Sequence, residues 1–126
     1  MHTFSSDGFK FLKSQGWVMM EHSKALLSRC EECVNKEMVA FQLKQNEFDA
    51  LVIFCFEIGI SSFKNSATLL QLKSGNIVKA ISIWRSRCRS RNKKGKLVID
   101  DLLVQQREAE LAIYLSGDYN QNWRKR

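Results

Sequence analysis

The sequence predicts an all-α domain, and three observations support that class. Proline, the strongest helix breaker, is absent from all 126 residues. Apolar residues between Ala25 and Phe41 recur at spacings of three and four, which is the period of one helix face. The segment from Phe48 to Ile58 is apolar nearly all round, as in a helix that is buried on every side. We therefore expect a compact helical lobe around a buried central helix, with no β-sheet subdomain.

Capping residues and glycines set the expected helix boundaries. Ser5 can cap the first helix and Asn46 the central one, because both side chains accept hydrogen bonds from free N–H groups. Gly59 and Gly117 can end the central and the last helix. The expected helices cover roughly residues 5–16, 21–41, 46–58, 66–73, 76–85 and 100–117. We expect a single helical domain over residues 1–118 and a polar basic tail over residues 119–126.

Composition and charge restrict the class of protein. The chain is 44% hydrophobic and 26% charged, the balance of a folded domain. No apolar run approaches the 18 or so residues of a membrane-spanning helix. Because the segment from Met1 to Phe11 lacks the order of a secretory signal, we expect cytoplasmic synthesis, with release by lysis or specialised secretion. The net charge of +7 favours anionic partners.

The cysteines do not indicate a metal site. Cys30 and Cys33 form a C-x-x-C pair, but this pair lies within a predicted helix and has no second pair to complete four ligands. Cys55 lies inside the buried apolar segment. We expect reduced thiols that pack in the interior, with no metal and no cofactor.

A basic segment follows the helix predicted at residues 76–85. Its cations are Arg85, Arg87, Arg89, Arg91, Lys93, Lys94 and Lys96. Contacts with phosphates would give a salt-dependent affinity for nucleic acid. The segment has no aromatic residues to stack on bases and no recognition motif, so a solvated loop is the favoured interpretation. An acidic protein surface is the other partner that the segment fits.

Several short motifs, in order along the chain, resemble those of phage-type lysozymes. They are Ser5–Lys13, Glu21–Leu27, Gln45–Leu51, Phe56–Gly59, Phe63–Leu70, Trp84, Gln106–Glu110 and Tyr114–Gly117. The central one, Gln-Asn-Glu-Phe-Asp-Ala-Leu running on to Phe-Glu-Ile-Gly, is similar to that family's Gln-x-Gln-Phe-Asp-Ala-Leu and Phe-Asn-Ile-Gly. The resemblance spans residues 4–117, and it implies the helical lobe of a lysozyme, with peptidoglycan as the family's substrate.

The catalytic residues of that family have no match here. Phage-type lysozymes end the first helix in Glu-Gly, whose Glu is the general acid, and a β-rich lobe with a catalytic Asp and Thr follows. Here the helix ends in Gln15 and Gly16, and residues 17–20, which we call the joint, lead directly into the next helix. Four residues span at most about 14 Å, whereas three average strands need about 15 residues. The resemblance therefore implies a truncated, degenerate member without muramidase activity.

Two carboxylates remain as catalytic candidates. Glycoside hydrolysis needs a proton donor and a second carboxylate about 5–9.5 Å from it. Glu57 stands where the family has an amide that lines the cleft, and Glu21 lies close to the joint. The structural interpretation of Glu57 is a residue that bonds locally. That of Glu21 is a residue in the first turn of a helix, where the helix dipole stabilises its charge. The structural interpretation is favoured for both, because neither has a placed partner.

The favoured function is an interaction module for a protein partner or for a second copy of the chain. Trp17, Met19 and Met20 form the contact if the joint is exposed, and they cover the core if it is buried.

The alternative is residual muramidase activity or peptidoglycan binding, through Glu57, Phe63, Asn65 and Trp84. Trp84 stands at helical spacing from other apolar residues, so core packing is the favoured interpretation. Arg107 retains one of two arginines of the family's last helix. We expect Arg107 and Glu110 to form an i,i+3 pair that contributes about a few tenths of a kcal/mol.

Overall fold

The computed structural model describes residues 1–17 and 20–120, which form seven helices and one two-stranded hairpin. In chain order these elements are α1 (Ser6–Ser14), α2 (Glu21–Glu37), α3 (Gln45–Ile58), α4 (Ile60–Lys64), α5 (Ala67–Lys73), α6 (Ile77–Ser86), β1 (Arg89–Arg91), β2 (Leu97–Ile99) and α7 (Asp101–Ser116). The predicted all-α class is confirmed.

Helix α3 is enclosed by the other helices. Every residue from Phe48 to Phe56 is buried. The helix packs against α7, α2, α1 and α4, so it has neighbours on several sides. Because burial of one large apolar side chain contributes roughly 1.5–3 kcal/mol, this segment supplies a large part of the burial energy of the domain. The prediction of a buried central helix is therefore confirmed.

The residue that was expected to cap α3 has a different role. Asn46 lies in the first turn of α3, and its amide donates to the carbonyl groups of Ile113 and Tyr114, at 3.0 and 3.1 Å. Asn46 therefore caps carbonyl groups at the C-terminal end of α7 and not the N-terminus of α3. At the start of α3, the Glu47 carboxylate accepts a hydrogen bond from the backbone N–H of Lys44, at 2.8 Å.

Helix α2 is shorter than predicted. It ends at Glu37, and the N–H of Met38 still donates to the carbonyl of Val34, at 2.9 Å. The chain then turns, with the N–H of Phe41 donating to the carbonyl of Met38 at 3.0 Å. Met38 is buried, whereas Val39 is exposed. The apolar spacing of the sequence continues past the end of the helix, which is why the predicted helix is longer than the observed one.

The buried Asp49 carboxylate joins the two ends of the domain. It accepts hydrogen bonds from the backbone N–H and the hydroxyl of Ser5, from the amide of Gln45 at 2.8 Å and from the hydroxyl of Tyr119 at 2.6 Å. The Ser5 hydroxyl in turn accepts from the N–H of Gly8 and caps α1, as predicted. Burial and the hydrogen bond to Asp49 both raise the pKa of Tyr119.

Tyr119, the first residue of the expected tail, has contacts with the helical domain. Its ring is partly buried and packs against the core, although the basic tail was expected to begin at this residue. Tyr119 is therefore part of the packed structure, because its phenol bonds a buried carboxylate. Residues 121–126 of the expected tail lie outside the described residues.

The hairpin is the element that the sequence did not predict. Strands β1 and β2 pair antiparallel, with Arg89 opposite Ile99 and Arg91 opposite Leu97. The side-chain oxygen of Asn92 accepts from the backbone N–H groups of Lys94 and Lys96, and so closes the turn. The inward residue of β1 is Ser90, and β2 is apolar on both faces, so neither strand shows the usual alternation of apolar and polar residues.

Within the described residues, no helix is both long enough and apolar enough to span a bilayer.

We predict that Asp49→Ala lowers the free energy of unfolding by about 3 kcal/mol, because it leaves several buried donors without an acceptor. Tyr119→Phe removes one of these donors and costs about 1.5 kcal/mol. Urea denaturation followed by circular dichroism measures both values. Equal losses in the two variants would show that Asp49 does not join several segments.

Candidate functional site

The connection between α1 and α2 consists of residues 15–20. Gln15 caps the C-terminus of α1 and is 2% exposed. Gly16 has a φ of 93°, a conformation that glycine adopts without strain. The N–H of Trp17 then donates back to the carbonyl of Leu12, at 3.1 Å. The chain thus turns tightly at the end of α1, and Met20 stands at the N-terminus of α2.

Trp17 is turned towards the core. Its ring packs edge-on against Phe56, with 4.8 Å between the ring centroids. The indole Nε1–H donates a hydrogen bond to Oε1 of Glu57, at 2.9 Å. This residue of the joint therefore covers the C-terminal end of α3 instead of projecting into solvent. Glu57 is partly exposed, and this indole is one of its partners.

The other residues of the joint differ from Trp17. The side chain of Met20 is 59% exposed. Met19 lies outside the described residues. Glu21, the second catalytic candidate, is an exposed residue in the first turn of α2, where a negative charge interacts favourably with the helix dipole.

Two of the four residues that were predicted to bind peptidoglycan are in the interior. Phe63 and Trp84 are both 0% exposed, so neither ring is available to a glycan in this structure. Trp84 stacks on Phe54 with 4.9 Å between ring centroids, as the core-packing interpretation expects. Asn65 is exposed, and its amide donates to the carbonyl of Ser61 at 3.0 Å. The structure thus does not bring the four predicted residues together as a binding surface.

Glu110 is the centre of a buried polar cluster. The carboxylate is 0% exposed and accepts hydrogen bonds from the guanidinium of Arg107 at 2.7 Å, the amide of Gln106 at 3.0 Å and the indole of Trp84 at 2.9 Å. Burial raises the pKa of Glu110, and the positive charge of Arg107 opposes that shift. Arg107 itself is 4% exposed, and its guanidinium lies 5.4 Å from the ring centroid of Phe54.

This cluster corrects the expectation for Arg107 and Glu110. A solvent-exposed i,i+3 pair contributes a few tenths of a kcal/mol, but a buried pair has a different energy balance. Both charges are removed from water here, so loss of one partner leaves the other uncompensated. Arg107 also donates from Nε to the carbonyl of Arg87, at 2.8 Å, and so ties α7 to the base of the hairpin. The sequence spacing indicated the pair, but it carried no signal for its burial.

The predicted basic segment lies on the end of α6 and on the hairpin. Arg85 forms an ion pair with Glu108, at 2.5 Å, and both side chains are about half exposed. The remaining cations are exposed and lie at or beyond the end of α6. They are Arg87, Arg89, Arg91, Lys93, Lys94 and Lys96. The segment is therefore a folded hairpin rather than the expected loop.

The cysteines of the described residues are all reduced. Cys30 and Cys55 are buried, and the hydrogen bond between their thiols, together with burial, raises the pKa of Cys55 above its usual value. In residues 1–17 and 20–120, no three His, Cys, Asp or Glu side chains are grouped as metal ligands.

Comparisons with known proteins relate the chain to lysozymes. The family model for phage lysozyme matches residues 8–110. The endolysin of Bacillus phage B103 is 33% identical over 82 residues, which are 65% of this chain and 29% of the endolysin. The matched part is therefore less than a third of that relative's length.

Solved structures have the same fold. The endolysin from Escherichia coli O157:H7 phage FAHEc1 gives a TM-score of 0.81 at 22% identity, over 94% of this chain and 96% of that chain. The muramidase domain of SpmX from Asticaccaulis excentricus gives a TM-score of 0.79 at 22% identity, over 92% and 99% of the two chains. These two likenesses establish the fold.

We predict that Glu110→Gln lowers the free energy of unfolding by about 3 kcal/mol, because the charge of Arg107 is then buried without a counter-charge. Glu108→Gln is the matched control on the same helix. It breaks the half-exposed pair with Arg85 and costs less than about 1 kcal/mol. Urea denaturation compares the two variants. Similar losses would contradict the assignment of Glu110 to the interior.

Proposed function

The chain belongs to the phage lysozyme family, and we propose that it is a member without muramidase activity that acts as an interaction module. Its partner is another protein or a second copy of the chain. The proposal has two parts, the loss of wall cleavage and the gain of a binding role, and each has its own support and its own experiment.

The observation that carries the first part is the contact between Trp17 and Glu57. A carboxylate that takes part in glycoside hydrolysis has to face the sugar and lie near a second carboxylate. One oxygen of Glu57 instead accepts a hydrogen bond from the indole of Trp17, at 2.9 Å. The same ring packs on Phe56, the neighbour of Glu57 in the chain. Glu57 thus takes part in covering the core.

The end of α1 gives further support. By its resemblance to the family, Gln15 stands where the general acid is expected, and an amide cannot donate a proton with the acidity that this step requires. Loss of a general acid alone slows such reactions by about a hundred- to ten-thousand-fold. The six residues from Gln15 to Met20 are also too few for a lobe of three strands, which needs about 15 residues.

A carboxyl group with a raised pKa does occur in the domain, but its environment argues against catalysis. Glu110 is 0% exposed, and its oxygens accept from Trp84, Gln106 and Arg107. A group that has no access to solvent cannot protonate a glycosidic oxygen. This carboxylate is better understood as part of the packed interior.

The binding role is supported by the exposed part of the joint. A member of this family that lacks one lobe has surface that the lobe would otherwise cover. Trp17 covers part of this surface, whereas Met20 is 59% exposed at the start of α2. Methionine suits adaptable protein contacts because its side chain is unbranched and polarisable. An apolar partner surface therefore fits this position better than a sugar does.

We predict that the protein releases no reducing ends from purified peptidoglycan, because Glu57 bonds the indole of Trp17 and an amide, Gln15, stands where the family has its general acid. A phage lysozyme assayed in parallel is the positive control, and Glu57→Gln and Glu21→Gln are assayed beside the natural sequence. Cleavage that disappears in the Glu57→Gln variant would refute the proposal and identify Glu57 as a relocated catalytic carboxylate.

The binding role is tested by analytical ultracentrifugation over a range of protein concentrations. Self-association should weaken in Met20→Ser and remain unchanged in Val78→Ser, which removes an even more exposed apolar side chain from α6. A monomer at every concentration would restrict the proposal to a heterologous partner. Co-sedimentation of the protein with peptidoglycan would instead favour a glycan-binding role.

A further inference from the structure

The outer face of the hairpin consists of two arginines and two aliphatic residues. Residues paired directly across two antiparallel strands lie on the same side of the sheet, and residues two apart on one strand share that side. Arg89 pairs with Ile99 and Arg91 with Leu97, so these four side chains form one face, which we call the hairpin face. All four are exposed, with Leu97 at 51% and Ile99 at 57%.

The opposite face is held against the domain. Ser90 and Val98 pair with each other and are partly buried. The Ser90 hydroxyl donates to the Asp100 carboxylate at 2.9 Å, and the N–H of Asp100 donates to the carbonyl of Cys88 at 2.8 Å. Because Arg107 also bonds the carbonyl of Arg87, the hairpin is fixed to α7 at its base. Its outer face is therefore presented by a rigid support.

Positive charge dominates the surroundings of this face. Within the described part of the chain, none of the hairpin cations forms an ion pair. The nearby acids have other roles, since Asp100 caps α7 and Glu108 pairs with Arg85. Asp101 adds one negative charge in the first turn of α7. The hairpin thus combines unpaired cations with two exposed aliphatic side chains.

Nucleic acid and an anionic lipid bilayer both match the positive charge of the hairpin. The exposed aliphatic side chains distinguish between these two partners. Non-specific binding of a nucleic-acid duplex uses phosphate contacts, and binding of a single strand adds aromatic stacking, for which residues 87–99 contain no aromatic side chain. Exposed leucine and isoleucine add nothing to phosphate contacts. At the interface of an anionic bilayer, by contrast, aliphatic side chains enter the acyl boundary while arginine and lysine contact the headgroups.

We propose that the hairpin face binds the surface of an anionic phospholipid bilayer. Leu97 and Ile99 enter the interface, and the arginines beside them, together with the lysines of the turn, bind lipid phosphates. The protein remains peripheral, because only the hairpin inserts. This inference does not depend on the proposed function, since it concerns a different surface and holds whether or not the chain cleaves peptidoglycan.

The test is co-sedimentation of the full chain with large unilamellar vesicles. The vesicles consist of phosphatidylcholine alone or with about a third of phosphatidylglycerol, and binding is measured at about 0.05 and 0.5 M NaCl. We expect binding to the anionic vesicles only, with a loss at high salt. Arg89→Gln/Arg91→Gln and Leu97→Thr/Ile99→Thr should each weaken it roughly tenfold.

A matched control removes two charges elsewhere. Lys10→Gln/Lys24→Gln changes exposed lysines of α1 and α2 and should alter binding far less than the hairpin variants do. Threonine is chosen for the apolar positions because it retains a high strand propensity, and unchanged thermal melting verifies that each variant is folded.

Three results would overturn the proposal. The first is equal binding to neutral and anionic vesicles, and the second is binding that the control variant weakens as much as the arginine variant. The third is that Leu97→Thr/Ile99→Thr leaves vesicle binding unchanged while a DNA duplex binds more tightly than the vesicles. That last result would assign the basic hairpin to nucleic acid.

Discussion

Helix α3 has almost no face left for water, and the other helices are arranged by the need to cover it. The residues from Phe48 to Phe56 are all buried, and each neighbouring helix packs against them with one apolar side. Enclosure also means that a carboxylate on this helix must find donors within the protein. Asp49 finds them in Ser5 before α1 and in Tyr119 after α7. The need of the buried Asp49 carboxylate for hydrogen-bond donors thereby joins the two ends of the domain.

The need to cover α3 also explains the connection between α1 and α2. The connection is short, and its residues have to cover the apolar C-terminal end of α3. Trp17 does so by packing on Phe56, while its indole nitrogen is satisfied by Glu57. Because an indole N–H that packs against the core needs an acceptor, the Glu57 carboxylate has a structural reason to lie beside the partly buried Trp17. The contact therefore gives Glu57 a structural role at this end of α3.

The helices that have a clear 3.6-residue period can be predicted from the sequence. Contacts between residues that are far apart in the chain cannot. The central helix and the Ser5 cap follow from local pattern. Asn46 looked like a cap for α3, but its partners are carbonyl groups of α7, far along the chain. The i,i+3 spacing of Arg107 and Glu110 was visible, whereas their burial depends on how α3, α6 and α7 pack. Strand β1 gives no signal because its inward residue is Ser90, so it lacks the apolar alternation of a strand.

The interior and the hairpin are connected through one side chain. Arg107 pairs with the buried Glu110 by one guanidinium nitrogen and donates from another to the carbonyl of Arg87, where the hairpin begins. A buried arginine must keep its donors satisfied, so the position of that carbonyl is constrained by the core. The outward side of β1 and β2 is then determined by strand alternation. The hairpin face thus takes its orientation from a side chain, Arg107, that packs against α3.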